Sequence, residues 1–231
     1  MISYGKNTFF EAIKNNRIIR AYVLEGSKLI NNLKDKHIPF NIKNKKDLDK
    51  LANFGNHQGI VFEAKDYQTF ELEDLIDQQH QLIIMLDGIE DPHNLGAMMR
   101  TGDAIGIDGI IYKKHHAVSL SDTVAKVSTG AIEYIKCVEV TNLTKTIEVL
   151  KKRGYWIVGL EADGATDYTK MNYDMKICLI IGSEGKGISR LVSDKLDFKV
   201  SLPMNGHVNS LNASNAFAIM VYKIFESRHQ A

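Results

Sequence analysis

Apolar and polar residues alternate along residues 1–64 in short segments. Asn7 can cap a helix that carries Phe10 and Ile13 at helical spacing. Further helical turns are predicted at 29–33 and 47–51, and strands are predicted at 21–25, 38–42 and 59–64. Together these segments predict a compact α/β module at the start of the chain.

From Leu82 onward, apolar runs of strand length alternate with segments of helical period. Strands are predicted at 82–86, 109–112, 134–140, 156–160, 177–181 and 198–202, and helices at 94–104, 122–129 and 143–153. The chain ends in an amphipathic helix with apolar positions at Ala213, Ala216, Phe217, Met220 and Ile224. Buried strands joined by helical crossovers indicate a parallel sheet, so the predicted fold class is α/β.

Between residues 65 and 81 the chain becomes acidic and rich in glutamine. We therefore predict a first domain at 1–72, a linker at 73–80 and a second domain at 81–231. Residues 1–72 carry 12 basic and 8 acidic side chains, a net charge of +4, whereas the remainder carries −3. A basic module suits contact with nucleic-acid phosphates, although an ordinary solvated surface can have the same composition.

The composition is that of a globular protein, with 44% hydrophobic and 25% charged residues. No apolar run approaches the roughly 18 residues of a membrane span, and the N-terminus lacks a signal-peptide core. We therefore expect a cytoplasmic protein that does not associate with membranes. Cys137 and Cys178 lie in apolar, strand-like runs without metal-ligand spacing, which indicates that both are small core residues.

The first segment with candidate chemistry follows the strand at 82–86. Its loop, 87–96, would lie at the carboxyl end of the sheet, where open α/β sheets bind ligands. Asn94 fits a helix N-cap as well as it fits a ligand-binding amide. Arg100 fits a solvated helix position, yet its planar guanidinium also suits a phosphate next to a reacting sugar.

The second segment is a buried strand that opens into a loop with three glycines, Gly182, Gly185 and Gly187. Glycines allow another molecule to approach the backbone closely. Their G-x-x-G-x-G spacing differs from the dinucleotide-binding and P-loop fingerprints, which argues against a phosphate loop and against a dinucleotide-dependent oxidoreductase. Glu184, an acid among these glycines, is either a substrate-binding group or an ordinary surface residue of a turn.

The third segment follows the strand at 198–202. Five of the seven residues at 209–215 are asparagine or serine, and none of the seven is charged. A helix start needs only one such cap. Uncharged donors and acceptors suit an adenine base and a ribose better than a phosphate, so a nucleoside-like ligand is favoured over capping alone.

These three segments, in this order, resemble the motifs of the SpoU (TrmH-like) family of RNA 2′-O-methyltransferases. The resemblance covers about residues 82–228 and rests on the segments 91–96 with Arg100, 181–185, 202–204 and 210–212. Residues 4–7 and 57–60 also resemble the small RNA-binding domain of the branch that modifies large-subunit ribosomal RNA. The resemblance implies an α/β fold with a deep trefoil knot near the C-terminal end, bound S-adenosylmethionine and a homodimer.

The resemblance also implies roles for individual residues. The residues that match those assigned to catalysis and substrate positioning are Asn94, Arg100, Glu184, Ser210 and Asn212. Those that match backbone contacts to the cofactor, or positions near its pocket, are Gly182, Leu202, Leu211, Leu160, Thr129 and Gly130. One departure is Gly102, where the family usually has alanine; a helix-interior glycine should cost about 0.5–1 kcal/mol of stability.

The family proposal makes the residue that matches Arg100 a general base. A guanidinium keeps its proton at neutral pH, so we favour Arg100 as an electrostatic clamp on the phosphate beside the reacting hydroxyl. Asn94, Glu184 and Asn212 would then fix the geometry.

The histidines lie in separate segments without a pair of ligands one helical turn apart, so we expect no catalytic metal. The cluster at 113–116, two lysines followed by two histidines, is either a solvated surface or an RNA-facing one. Trp156, at the start of a strand, is predicted to be a core residue.

The resemblance implies methylation of a guanosine ribose in 23S rRNA, with RNA rather than DNA as partner. The same chemistry on transfer RNA, or at a ribosomal site that confers antibiotic resistance, is an alternative. A catalytically silent RNA-binding protein is a third possibility, but intact Asn94, Arg100, Glu184 and Asn212 argue against it.

Overall fold

The computed structural model describes residues 1–76, 81–115, 117–161, 166–208 and 210–229. The chain divides into two compact units, Met1–Tyr67 and Gln68–Ala231. Predictions made for 77–80, His116 and Asn209 lie outside the described residues.

The boundary between the units falls earlier than the sequence predicted. Phe70 forms a parallel bridge with Val138 of the second unit, and its amide donates to the carbonyl of Cys137 at 2.8 Å. Leu75 and Ile76, placed in the predicted linker, are buried in the core of the second unit. Because these apolar side chains find partners there, the chain belongs to the second unit from Gln68 rather than from residue 81.

The first unit is a four-stranded sheet with the order β1-β4-β2-β3, in which only the β2–β3 pairing is parallel. Its strands are β1 (Ile2–Tyr4), β2 (Ile18–Leu24), β3 (Phe40–Lys43) and β4 (Ile60–Ala64), and its helices are α1 (Lys6–Lys14), α2 (Leu29–Asp35) and α3 (Lys45–Leu51). Side chains alternate between the two faces of β4. Phe62 packs with α1 and α2, whereas Val61 packs with Leu48 of α3.

Two details of this unit differ from the prediction. The short strand β1 has only three residues, too few to give a periodic signal. The N-cap of α1 is Gly5 rather than Asn7, and its φ of 95° is a left-handed value that glycine adopts without strain. Asn7 therefore lies in the first turn of the helix.

The second unit is an α/β fold whose described strands form one parallel sheet, as predicted, in the order β7-β6-β5-β10-β8-β11-β9. The strands are β5 (Leu82–Asp87), β6 (Gly109–Lys113), β7 (Lys136–Val140), β8 (Trp156–Leu160), β9 (Thr166–Asp167), β10 (Ile177–Gly182) and β11 (Phe198–Ser201). The helices are α4 (Pro92–Ile105), α5 (Asp122–Val127), α6 (Leu143–Lys152), α7 (Arg190–Ser193) and α8 (Ala213–His229).

The strand order shows where a ligand crevice can form. The strands β5, β6 and β7 follow one another towards one edge of the sheet, whereas β8, the next strand in the chain, lies on the opposite side of β5. β10 later enters between β5 and β8 and pairs with both. In open parallel sheets ligands bind at the carboxyl ends of strands next to such a reversal. The trefoil knot stays a prediction.

The core confirms some single-residue predictions and contradicts others. Cys137 and Cys178 are fully buried, and burial raises the pKa of the Cys137 thiol to about 12. Trp156, predicted as core, is 47% exposed and packs at a tilt against Phe198. Gly102 is buried, and a Cβ at this position would overlap the side chain of Ile107. Glycine lowers the stability of the helix here, but alanine would require the Ile107 side chain to move. No helix in the described part of the chain is long and apolar enough to cross a membrane.

Candidate active site

Four strands that carry or precede predicted site residues end at the same edge of the parallel sheet. Asp87, the last residue of β5, pairs in register with Gly182, the last residue of β10. Leu160, the last residue of β8, pairs with Ile181 on one side and with Val200 on the other. The carboxyl ends of β5, β10, β8 and β11 are therefore level with one another, and the three motif segments leave the sheet side by side.

Asn94 is a buried side chain in the first turn of α4. The N-cap of this helix is Asp91, whose carboxylate accepts from the amide of His93 at 2.9 Å, and Pro92 follows at the first helical position. The N-cap interpretation of Asn94 is therefore wrong. Asn94 is only 7% exposed, and its Oδ1 accepts a hydrogen bond from Nδ2 of Asn212 at 3.0 Å.

Asn212 links the first and second motif segments to the third. Its Nδ2 donates to Oδ1 of Asn94 and, at 3.5 Å, to Oε2 of Glu184. Its Oδ1 accepts from the amide of Ser214 at 2.9 Å and from the Ser214 hydroxyl at 2.6 Å. Asn212 thus caps α8 with one end of its amide and bridges two candidate catalytic residues with the other. For residues 209–215 the sequence offered helix capping and ligand binding as alternatives. The Asn212 side chain both caps α8 and contacts two other candidate site residues.

The glycine loop holds Glu184 at the tip of a tight turn. The backbones of Ser183 and Gly187 exchange two hydrogen bonds, of 3.0 and 2.9 Å. A Cβ at Gly182 would overlap the backbone of Gly187 and Ile188, so only glycine allows the strand to turn so sharply here. The carboxylate of Glu184 is exposed except for its bond to Asn212.

Asp87 is a site residue that the sequence reasoning missed. It is 4% exposed, and its Oδ2 accepts from the backbone amide of Ser189 at 2.8 Å. Its Oδ1 lies 3.6 Å from the ammonium of Lys113, the first member of the basic cluster. Asp87 therefore ties Ser189, which follows the glycine loop, to the end of β5. The available signal was a carboxylate at the end of a strand that is otherwise entirely apolar.

Arg100 and Ser210 are not brought into this network. Both side chains are exposed, and neither side chain forms a hydrogen bond or ion pair with another described residue. Arg100 follows Asn94 by six residues, which places it about 120° away around α4 at 3.6 residues per turn. The guanidinium is consequently free to reach a ligand, but not from the side on which Asn94 meets Asn212.

The candidate cofactor residues differ in whether their backbone groups are available to a ligand and in whether they lie near the asparagine network. The backbone groups of Leu202 and Leu211 make no hydrogen bond to another described residue, so they can serve a ligand. Thr129 is exposed with φ of 53°, an uncommon value for a β-branched residue, and Gly130 follows at 96°. No described contact joins Thr129 or Gly130 to the asparagine network, and their cofactor role stays a prediction.

Towards solvent this edge offers neutral hydrogen-bonding groups and the carboxylate of Glu184, whereas the carboxylate of Asp87 is buried. The free backbone groups of the edge and the crowded turn at Gly182 fit a ligand that is recognised by peptide groups, such as the adenosine and amino-acid parts of S-adenosylmethionine. Among the described residues, no group of three or more histidine, cysteine, aspartate or glutamate side chains is placed to hold a metal ion.

Sequence comparisons agree with both units. Residues 81–222 match the SpoU rRNA Methylase family, and residues 2–70 match the family described as RNA 2′-O ribose methyltransferase substrate binding. A putative TrmH family tRNA/rRNA methyltransferase of Staphylococcus aureus (strain COL) is 45% identical over 237 residues, which cover 97% of this chain and 95% of that protein. Its counterpart in Staphylococcus haemolyticus is 43% identical over 242 residues, covering 100% and 97%.

Solved structures share the fold. The SpoU methyltransferase AviRb of Streptomyces viridochromogenes, in complex with AdoMet, superimposes with a TM-score of 0.84 at 22% identity and covers 100% of this chain and 91% of that one. An AdoMet-bound rRNA methyltransferase of Sinorhizobium meliloti gives 0.84 at 22% identity, covering 100% and 87%. With the motif residues assembled at one sheet edge and 142 residues matched by the catalytic family alone, the chain belongs to the SpoU methylase family of RNA methyltransferases.

Proposed function

We propose that this protein transfers a methyl group from S-adenosylmethionine to the ribose 2′-hydroxyl of a guanosine in 23S rRNA. The observation that carries the proposal is the hydrogen-bonded set of Asn94, Asn212 and Glu184 at the carboxyl edge of the sheet. Three segments up to 118 residues apart in the chain meet there. A purely structural cap would not need the bonds to Asn94 and Glu184.

The proposed step is a displacement at the methyl carbon. The bond from the ribose oxygen to the methyl carbon forms while the bond from that carbon to the sulfonium sulfur breaks, which leaves a neutral thioether. The hydroxyl proton passes to a base or to water. When bound, S-adenosylmethionine supplies an electrophile with a good leaving group, so what the protein must add is alignment of the hydroxyl.

The chain's own residues divide this work. Asn94 Nδ2 and the second oxygen of Glu184 offer one donor and one acceptor that no described residue uses. Together they can hold a ribose hydroxyl or a neighbouring base edge. Arg100, exposed and without a partner among the described residues, acts as the electrostatic clamp on the adjacent phosphate, and Ser210 contacts the RNA from the third segment.

The cofactor is assigned to the same edge. The backbones of Gly182, Leu202 and Leu211 would bind its adenosine part, with Leu160 next to them in register. Thr129 and Gly130 complete the pocket in the proposal. The AdoMet-bound structures named above support this assignment, because they share the fold of this chain.

Ribosomal RNA is proposed over transfer RNA because of the first unit. It matches a substrate-binding family, and a Sinorhizobium relative that shares the whole fold carries the name rRNA methyltransferase. A TrmH/SpoU tRNA modifying enzyme of A. aeolicus superimposes on only 69% of this chain, with a TM-score of 0.61. The proposal includes a first unit that binds RNA, a second that catalyses, and a cytoplasmic homodimer.

The direct test uses purified protein, radiolabelled S-adenosylmethionine and two separate substrates, unmodified 23S rRNA made by transcription and a transfer RNA pool. Label is expected in the rRNA, and digestion to nucleosides should place it on 2′-O-methylguanosine. Label in transfer RNA alone would overturn the choice of substrate. Asn94→Ala protein, run in parallel, shows whether any transfer depends on this site.

A further inference from the structure

One aromatic side chain of the first unit is almost fully exposed. Phe54 is 81% exposed, more than any other large hydrophobic residue among those described. It lies in the loop at 52–59, between α3 and β4. The loop also exposes the polar residues Asn53, Asn56 and Gln58. The exposed apolar residues beside it are Leu51 and Tyr4, at 38% and 37%, and the Tyr4 ring lies against Gly55. One ring with two such neighbours is a smaller apolar patch than the centre of a stable protein interface.

The loop holds Phe54 in place. The amide of Phe54 donates to the carbonyl of Asp49 at 2.7 Å. His57 connects the loop twice, because its Nδ1 accepts from the amide of Gly59 at 2.9 Å and its Nε2 lies 3.0 Å from a carboxylate oxygen of Asp49. Since Nδ1 accepts, the proton is on Nε2 and is donated to Asp49. The ring is therefore carried by a braced backbone, and little backbone freedom is left to lose on binding.

Positive groups adjoin the same loop. Gln58 Oε1 accepts from the amide of Lys6 at 2.9 Å, which ties the loop to the N-terminus of α1. α3, which leads directly into the loop, carries the exposed Lys45, Lys46 and Lys50. Residues 1–67 contain 12 basic and 7 acidic side chains, a net charge of +5. An exposed ring next to a lysine-bearing helix, on a unit with a net positive charge, is a combination suited to unpaired nucleotides, with phosphates on the cations and a base on the ring.

We propose that Phe54 is a stacking platform for an unpaired base of the RNA substrate, with Lys46 and Lys50 contacting the flanking phosphates. The inference rests on the proposed function, because it takes RNA as the substrate, and it adds the place and mode of contact. It predicts that this unit selects RNA with an unpaired nucleotide, since a base inside a helix cannot reach the ring.

The test measures binding of the whole protein to unmodified 23S rRNA and the KM for that RNA. Phe54→Ala should weaken binding by about 5- to 150-fold, the range found when a base-stacking aromatic is removed. Phe54→Trp should restore it, because any aromatic face can stack. The matched control is Phe10→Ala, which removes the 45% exposed phenylalanine of α1 in the same unit and should leave binding unchanged.

Salt dependence separates the ring from the lysines. Replacing Lys46 and Lys50 by alanine should reduce the slope of log affinity against log salt by about 1.4, at roughly 0.7 for each phosphate contact to single strands. Phe54→Ala should weaken binding while leaving that slope unchanged, because stacking releases no counterions.

The outcomes distinguish this inference from the proposed function. If the wild-type protein methylates 23S rRNA and Phe54→Ala binds it equally well, the platform is wrong and the proposed function stands. If Phe54→Ala instead changes the sedimentation mass without changing RNA affinity, the ring contacts protein and the inference is overturned. If the wild-type protein methylates transfer RNA only, the proposed substrate fails, and the same variants measured on that RNA decide the platform separately.

Discussion

The two ends of the parallel sheet use similar polar residues in opposite ways. At the amino end, Asp108 accepts from the amides of Gln81 and Leu82 at 2.7 and 2.6 Å. Arg228 of α8 donates to the carbonyls of Tyr173, Met175 and Gln81. Burial there lowers the pKa of Arg228. These side chains satisfy backbone groups of the protein itself and tie α8 to the sheet.

At the carboxyl end, several polar side chains leave bonding capacity for a ligand. Asn94 and Glu184 are each held by Asn212 through one atom and keep another atom without a partner among the described residues. Arg100 keeps its whole guanidinium. A polar residue at a strand end is therefore not in itself a site. Bonding capacity that the fold orients but does not use is the better indicator.

Arg100→Ala should reduce catalysis more than any other change considered. If the guanidinium clamps the phosphate beside the reacting hydroxyl, kcat should fall by about 100- to 1,000-fold, the loss typical of a removed electrostatic donor. Because Arg100 has no partner among the described residues, the free energy of unfolding should change by less than about 0.5 kcal/mol. Single-turnover methyl transfer and thermal melting measure the two quantities. Unchanged transfer would contradict both the clamp and the general-base view.

Asn212→Ala should lower kcat by about 100-fold, because Asn94 and Glu184 lose their common partner and drift from the aligned geometry. It should also cost about 1 kcal/mol of stability through the lost α8 cap. Asn212→Asp separates these roles, since an aspartate oxygen can still accept from Ser214 but cannot donate to Asn94. The bridge is disproved if the aspartate variant is as active as the wild type.

Asp87→Ala and Asp108→Ala form a matched pair across the sheet. Each removes a carboxylate that accepts from backbone amides, so each should destabilise the protein by about 1–3 kcal/mol. Only Asp87→Ala should also reduce kcat, by about 10- to 100-fold, because the loop carrying Glu184 loses its anchor at Ser189. Assays well below both melting temperatures make the comparison fair. Equal loss of kcat in the two variants would remove the special role of Asp87.

The smallest effect on catalysis is expected for Arg228→Met. Loss of its charge-assisted bonds to three carbonyls should lower the free energy of unfolding by about 2 kcal/mol. The kcat of the folded fraction should stay within a factor of two or so of the wild type, because Arg228 acts at the amino end only. Urea unfolding gives the first number and initial rates give the second. A large fall in kcat would show that the two ends are coupled.

Much of the fold follows from local pattern. The predicted bounds agree within a residue or two with those of β5, β6, β8 and β10. A strand buried on both faces is a continuous apolar run, so its ends are easy to recognise in the sequence. β1, with three residues, and β9, with two, give too short a pattern to recognise. The exposure of Trp156 was missed because hydrophobicity alone does not tell which strand lies beneath a helix.

The α/β class, the two-part organisation and the three segments that form the site can be read from the residue pattern. Which of their side chains meet depends on the three-dimensional fold. Asn94 could have been a cap, Asp87 an ordinary strand end and Asn212 no more than a helix start; each role depends on a partner 28 to 118 residues away in the chain. Periodicity reports the face on which a residue lies, whereas strand order and register decide what lies opposite that face.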